Sequence, residues 1–504
     1  MMKKLVLSLL GLVILLGVGA WIGRLSQRDM VISSSTAGAS YNGGFQASAD
    51  KSAVAIRSVA GPTPTNVLIV KDGESIQAAV RAAPRGSVIR VLPGTYRETV
   101  YVDKDDIRII GVIEGGRRAV LDGEKKLNDA ILYSGNNFVA ENLEIRNYKG
   151  NGIMGQAGNN FEIRNNVIAS SGVYGIFPQL GQNGIVEHNV VSGIADAAIY
   201  IGMSDNILVA HNEVFDSVAG IEIENSRHAI VEHNYVHDNS GGLLAFVTPG
   251  LPIKTTVDVI FRNNFVVKNN HANFGAPGST VSGIPAGTGI LVMAADDVVI
   301  EGNVITDNKV SGVIITDHAH ASNITADPES DPNSDRVKLL DNVMLNNGYD
   351  TIKEAKALLL ADGKVGKTNL DIVRVGPSPG SCIVNRHQYV TAGVGGFAEC
   401  EFTNTAATAN YLLPPVPPRV IEPGERGKVV YLGICSGCHV YNGRMIGPPV
   451  QAIQALYMEN PQGLADYIAH PQKKREDYPE MPPQDYLDRE TRLAVANYML
   501  QVTN

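Results

Sequence analysis

Near the C terminus five consecutive residues, Cys435-Ser436-Gly437-Cys438-His439, set two thiols and an imidazole at a chemically specific spacing. Thiols two residues apart can add to the two vinyl groups of one haem. The His that follows is placed to ligate the iron, so the pentapeptide reads as a c-type attachment motif. The competing readings are a CxxC disulfide or half of a zinc site, but no second ligand pair at zinc-ribbon spacing follows. One covalent haem c on Cys435 and Cys438, with His439 as iron ligand, is therefore expected. Two further sets of residues could do chemistry. His188, His211 and His233 recur at one position of a repeat, and Asp317-His318-Ala319-His320 precedes an acidic stretch that runs to Asp335.

The elements that must position the haem motif lie on either side of it. Gly424 to Ile434 reads as a helix leading into the cysteines. Glu490 to Gln501, with Leu493, Ala496, Asn497 and Leu500 along one side, reads as a closing helix that packs near the first. With Gly447-Pro448-Pro449-Val450 between them, residues 421–504 resemble the small class I cytochromes c. The resemblance implies that the Pro448 carbonyl accepts a hydrogen bond from the ring of His439 and orients it. It also implies a methionine as sixth ligand on a loop before the closing helix, where Met481 in YPEMPP fits. Met445 lies too close to His439 in sequence to reach the opposite haem face. Met458 and Met499 sit at apolar spacing on or near helices and read as core, and His470 is the alternative ligand. A Met/His pair implies a relatively high potential.

The middle of the chain carries a repeat. The pattern apolar-x-x-Asn-x-apolar recurs with asparagines at Asn166, Asn189, Asn212, Asn234, Asn264, Asn303 and Asn342, at intervals of 23, 23, 22, 30, 39 and 39 residues. A small-apolar marker keeps step at Gly152-Ile153, Gly175-Ile176, Ala198-Ile199, Gly220-Ile221, Gly242-Leu243, Gly289-Ile290 and Gly312-Val313. A period near 22 residues with short β-branched runs fits one coil of a β-solenoid per repeat. Asn is expected to take the left-handed conformation at a tight corner and to bond the Asn of the next coil. Gly at the other marker is expected to let the chain bend. Ahead of the repeat, ESIQAAVRAA (Glu74–Ala83) reads as a helix that ends at Pro84, followed by strands at Ser87–Leu92, Glu98–Val102 and Ile107–Val112.

From that opening, and most specifically from PGTYRE (Pro93–Glu98), residues 65 to 350 resemble right-handed parallel β-helix proteins of the pectin-esterase and carbohydrate-binding kind. The esterases' catalytic signatures do not follow. There is no QDTL-like or DFIFG-like segment, so the esterase activity is not implied. In such a stack, consecutive coils lie one strand spacing apart, about 4.8 Å, so the three histidines form a column. The column reads as a polar corner ladder rather than a metal-binding or sugar-stacking strip. Asp317–His320 reads as a solvated loop rather than a metal site, with His237-Asp238 and His271 able to approach only if loops fold back. Insertions at 245–257, 268–288 and 316–335 could line a groove.

The ends and the composition set the frame. Lys3 and Lys4 precede an apolar run from Leu5 to Ile22, with Val18 and Ala20 in small-residue cleavage positions, so residues 1–28 read as a signal peptide or as a retained membrane anchor. Either reading exports the remainder to the periplasm. Residues 29–64 read as a flexible linker, 65–380 as an all-β right-handed parallel β-helix, and 381–412 as a cysteine-containing cap. Residues 413–420 read as a Pro-rich linker and 421–504 as a small all-α haem domain. In an oxidising compartment Cys382 and Cys400 read as a disulfide. A net charge of −9 argues against nucleic-acid binding, which needs a basic stripe.

These readings together predict an exported electron carrier rather than a catalyst, with a periplasmic redox partner and a β-helix that binds a partner or a polysaccharide. The alternatives are a carbohydrate-active β-helix (lyase, epimerase or sugar-oxidation accessory) with an accessory haem domain, and a β-helix that assists copper loading of an exported reductase.

Overall fold

The computed structural model describes residues 58–321, 324, 327–405, 425–436, 438–443, 446–478 and 480–503. The expected export segment, most of the 29–64 linker, the Pro-rich linker 413–420 and Met445 lie outside them. No helix among the described residues is long and apolar enough to cross a membrane.

From Asn66 the chain winds into coils, each giving one short strand to each of three parallel sheets. The first sheet has twelve strands, the second, beginning at Gly94–Tyr96, has ten, and the third, beginning at Val100–Val102, has eleven. Neighbouring strands within a sheet come from successive coils and pair in parallel. In the third sheet, for example, Ile153 pairs with Ile176 and Ile199 with Ile221. Inward residues of the three sheets, such as Ile153, Ile163, Ile168, Val209, Val231 and Ile300, build one continuous apolar core. A single coil could not bury these side chains alone, so stacking is what makes the core.

The opening helix α1 is Ile76–Ala82, with Ser75 as its N-cap accepting from the Ala78 N–H. Glu98, the last residue of PGTYRE, accepts from the N–H groups of Ile76 (2.7 Å) and Gln77 (3.0 Å). The hexapeptide thus supplies acceptors for free helix N–H donors one coil away, and a carboxylate also suits the positive helix start.

Two expectations about the corner are corrected. The left-handed residue is not the repeat asparagine but the residue before it: Asn165, His188, His211, His233 and Asn263 have φ between 54° and 57°. The repeat asparagine is instead turned inward and buried. Its Oδ1 accepts from both the backbone N–H and the Nδ2 of the preceding coil's Asn, as Asn212 does for Asn189 at 2.9 and 3.0 Å. Its own Nδ2 donates to a core carbonyl, as Asn212 does to Val186. The glycines at the second marker do not have positive φ either. A Cβ at Gly152, Gly289 or Gly312 would meet a carbonyl oxygen of the following coil at 2.5–2.8 Å, so glycine is there for close approach.

A second ladder, absent from the sequence reading, runs through Asn239, Asn269, Asn308 and Asn347, five residues after four of the first-ladder asparagines.

Pairing continues beyond residue 380: Cys382–Ile383 pairs with Lys338–Leu340 and Thr391–Ala392 with Ile372–Arg374. Cys382 and Cys400 are disulfide-bonded. Helix α2, Lys353–Ala361, lies in this last part of the stack.

The insertions that could line a groove pack in part on the sheet and on one another. Val281 and Ile284 of the 268–288 insertion pack on Leu244, Phe246 and Leu291 of the third sheet's outward face. Asp317 caps the turn His318–His320 and pairs with His320 Nδ1 (2.7 Å), while His318 is buried with Nε2 bonded to the Val247 carbonyl. The Asp317–His320 segment is therefore a packed turn, not a solvated loop. Asp327 ties the same insertion to Gly250 and Lys254.

Candidate haem site and the β-helix face beside it

The haem domain begins with α3, Arg426–Val430, which continues through a wider turn, Tyr431–Cys435, directly into the motif. Helices α4 (Val450–Leu456), α5 (Pro461–Ala469) and α6 (Arg489–Gln501) complete it. Helix α3 crosses α6 at Gly427, where a Cβ would collide with the Ala494 carbonyl, so only glycine allows this approach.

Cys435 and Cys438 are not bridged to each other, and burial pushes their thiols up to about 12 and about 11. The Nδ1 of His439 lies 2.8 Å from the Pro448 carbonyl oxygen, and the Tyr431 hydroxyl donates to the His439 carbonyl at 3.0 Å. Gly447 lies against the imidazole so closely that a Cβ there would overlap the ring. Burial lowers the imidazole's proton affinity, which keeps it neutral. The arrangement fits a haem: two unbridged thiols at vinyl spacing, and an imidazole whose Nδ1 is committed to a carbonyl, leaving Nε2 for iron.

Met481 is half-buried on the loop between α5 and α6, packed on the cluster that contains Val430, Tyr431 and Cys435. Met499 is buried, as core. Met458 is 73% exposed, which corrects its reading as core: it lies just beyond the end of α4. His470 is exposed at the C-cap of α5.

The haem domain packs against the β-helix. Tyr101, Leu132 and Met154 on the outward face of the third sheet join Val430, Tyr431 and Cys435 in one apolar cluster. Arg426 pairs with Asp103 at 3.7 Å, and Arg81 donates to the Tyr486 carbonyl. Between the first coils and the loop that follows Met481 is a cleft of about 480 Å³, lined among others by Arg81, Glu98, Lys149, Asp129 and Tyr486. Burial, with Asp129, Tyr101 and Cys435 near by, raises the proton affinity of the Tyr486 phenol.

The three histidines form the expected column. Their rings stack at 4.9 and 5.2 Å within 7° of parallel and face solvent at the corner. Parallel rings do not converge on a common point, and among the described residues no cluster of three His, Cys, Asp or Glu could hold a metal ion. His237 pairs instead with Asp238 (2.7 Å) and Glu213 (3.3 Å), and His271 bonds the Ala272 carbonyl.

The sequence reading missed a second set of groups on the third sheet: Tyr174, Asp196, Tyr200, Glu222 and Glu224. The signal was present in the strand Ala219–Glu224, whose IEIE alternation sets two carboxyls on the face opposite the core isoleucines.

The family profile for the right-handed β-helix region matches residues 128–253, and that for cytochrome c matches residues 424–503. The chain thus carries a right-handed parallel β-helix and a cytochrome c domain, which implies haem c, electron transfer and a redox partner. A search of curated proteins gives no match. Among solved structures, the chain is similar to the Azotobacter vinelandii mannuronan C-5 epimerase AlgE4 A-module, with TM-score 0.43 and 15% identity over 68% of this chain and 88% of that one. It is also similar to an alginate lyase from Paenibacillus sp. (0.41, 14%, 57% and 100%) and to pectate lyase Pel9A (0.37, 12%, 72% and 90%). Nothing about activity follows from these similarities.

Proposed function

We propose that this chain is an exported, periplasmic electron-transfer protein in which Cys435 and Cys438 would hold one haem c covalently and His439 and Met481 would ligate its iron. The observation that carries the reading is the His439 Nδ1 contact with the Pro448 carbonyl beside two unbridged thiols. When bound, the haem supplies reversible one-electron oxidation and reduction. The chain's own residues hold and shield it: Pro448 fixes the imidazole tautomer, Gly447 leaves room for the ring, and the β-helix face at Tyr101 covers Cys435. The protein is either soluble or held at the inner membrane by residues 5–22, and its β-helix serves as a platform for a redox partner or a polysaccharide. The carrier reading is favoured over a carbohydrate-active one because the carboxyls Glu222 and Glu224 on the sheet face are buried rather than set in an open groove.

The test is an alkaline pyridine ferrohaem spectrum of protein made in a host competent for haem ligation. A c-type spectrum is expected, and it should be lost in Cys435→Ser/Cys438→Ser. Met481→Ala should keep the covalent haem but lower its midpoint potential. A spectrum without c-type bands removes the carrier reading. Unsaturated product formed from a polyuronate would instead establish a lyase.

A further inference from the structure

Beyond the haem domain, the outward face of the third sheet holds a compact group of acids and phenols. In register, Tyr200 sits beside Glu222 and Gly202 beside Glu224. The Tyr200 ring lies over Gly202, where a Cβ would meet it at 2.8 Å. Tyr174, from the turn before the preceding strand, stacks on Tyr200 with centroids 4.6 Å apart, and Asp196 occupies the next turn. Glu222 and Glu224 are only 2% and 6% exposed. Tyr200 and Thr248 ease the burial of Glu224, while Glu222 Oε2 and Asp196 Oδ1 are buried with no hydrogen-bond partner among the described residues.

Burial, then mutual repulsion, pushes Asp196 up to about 8 and raises Glu222 well above the usual carboxylate range; burial also raises Glu224. The titratable neighbours are Tyr174 and Tyr200 from the sheet and the turn before it. Among the described residues, no Lys, Arg or His is among the groups that act on the three acids. A buried acid with an unmet oxygen and no cation near it binds its proton more tightly than a solvated one. The link to the haem domain is Tyr174, which stacks on Tyr200 and packs on the apolar cluster that also holds Met154 and Cys435.

We propose that Asp196, Glu222 and Glu224 form a proton-loading site coupled to the haem, so that an electron accepted from the redox partner draws up to one proton from solvent to this cluster. Reoxidation releases the proton. No bond at the iron is made or broken, and charge balances as one electron and up to one proton. The proposal rests on the haem assignment above. Its physical basis is Coulombic: unit charges on the order of 10 Å apart at an effective dielectric of ~20 shift an acid's proton affinity about tenfold.

The experiment is a potentiometric titration of the full holo-protein from roughly pH 6 to pH 9, a range that brackets an acid poised near 8. Wild type, the isosteric Glu222→Gln variant and the triple Asp196→Asn/Glu222→Gln/Glu224→Gln variant are compared, together with redox-difference infrared spectra. The expected result is a midpoint potential that falls as pH rises in wild type, a shallower slope in Glu222→Gln and a flat line in the triple variant. A protonated-carboxyl carbonyl band should change with redox state in wild type and vanish in the triple variant. If the triple variant does not fold, Glu222→Gln alone decides through its slope and its band. An intact c-type spectrum with a pH-independent potential, or with a wild-type slope and band retained in Glu222→Gln, overturns the proposal and leaves the haem reading standing. Absence of the c-type spectrum removes both.

Discussion

Two parts of the β-helix bury polar side chains in depth, and they do so in opposite ways. At the corner, the inward asparagines from Asn166 to Asn342 spend their amides on backbone groups and on one another, coil after coil. On and beside the outward face of the third sheet, Glu222 and Asp196 keep oxygens that meet no partner among the described residues. A satisfied buried amide stabilises the stack and fixes its register. An unsatisfied buried carboxyl costs stability, and its presence calls for another explanation. The difference separates structural polarity from functional polarity better than residue type does. The exposed histidine column, the more conspicuous feature in the sequence, falls on the structural side.

The largest effect should come from breaking the ladder. Asn212→Leu takes the Asn212 Oδ1 from the Asn189 N–H and from its Nδ2, which keeps the Ile163 and Glu187 carbonyls, and takes the Asn212 Nδ2 from the Val186 carbonyl and from the Asn234 Oδ1. We expect a loss of about 3–5 kcal/mol in chemical denaturation, since each unmet buried group costs ~1–3 kcal/mol. A loss below about 1 kcal/mol would mean that the corner is not where the stack is held.

The outward face should respond with the opposite sign. Its acids have folded proton affinities raised above their unfolded values. Their contribution is therefore complete below about pH 4 and is lost as pH rises toward about 8, the value for Asp196. Glu222→Gln removes one of these titrations. We expect it to gain on the order of 1 kcal/mol at pH 8 and little at pH 4, read from denaturation midpoints at the two pH values. Equal effects at both would place Glu222 in the structural class.

The smallest effect should be at the corner's solvent side. His211 sits at φ 56°, a conformation glycine adopts freely, and its ring stacks on His188 and His233 in the open. His211→Gly should change stability by less than about 1 kcal/mol, the released strain offsetting the lost stacking. Added zinc should leave the thermal midpoint unchanged. A zinc-dependent rise would return the column to the functional side.

Much of this molecule was legible in the chain. The CxxCH motif lies in the segment that matches cytochrome c, and the Pro448 contact was expected from the family resemblance. The recurrence of Asn every 22 or 23 residues announced coils, because a side chain that bonds its own copy must recur once per turn. The corner was assigned one residue late, since pattern alone cannot say which of two adjacent residues takes the left-handed φ and which turns inward. The second ladder at Asn239, Asn269, Asn308 and Asn347 was visible as a five-residue echo of the first, but an asparagine spacing acquires meaning only once the coil closes.

What the amino-acid order determined by itself was local and periodic: a CxxCH pentapeptide, a coil length, an inward and an outward face on every strand. What only the tertiary structure decided was which outward face is covered. Glu222 and Glu224 alternate with core isoleucines in the strand Ala219–Glu224, and the sequence reading gave them no role. They became buried acids because burial depends on what packs over a strand, and that is set by segments far away in sequence.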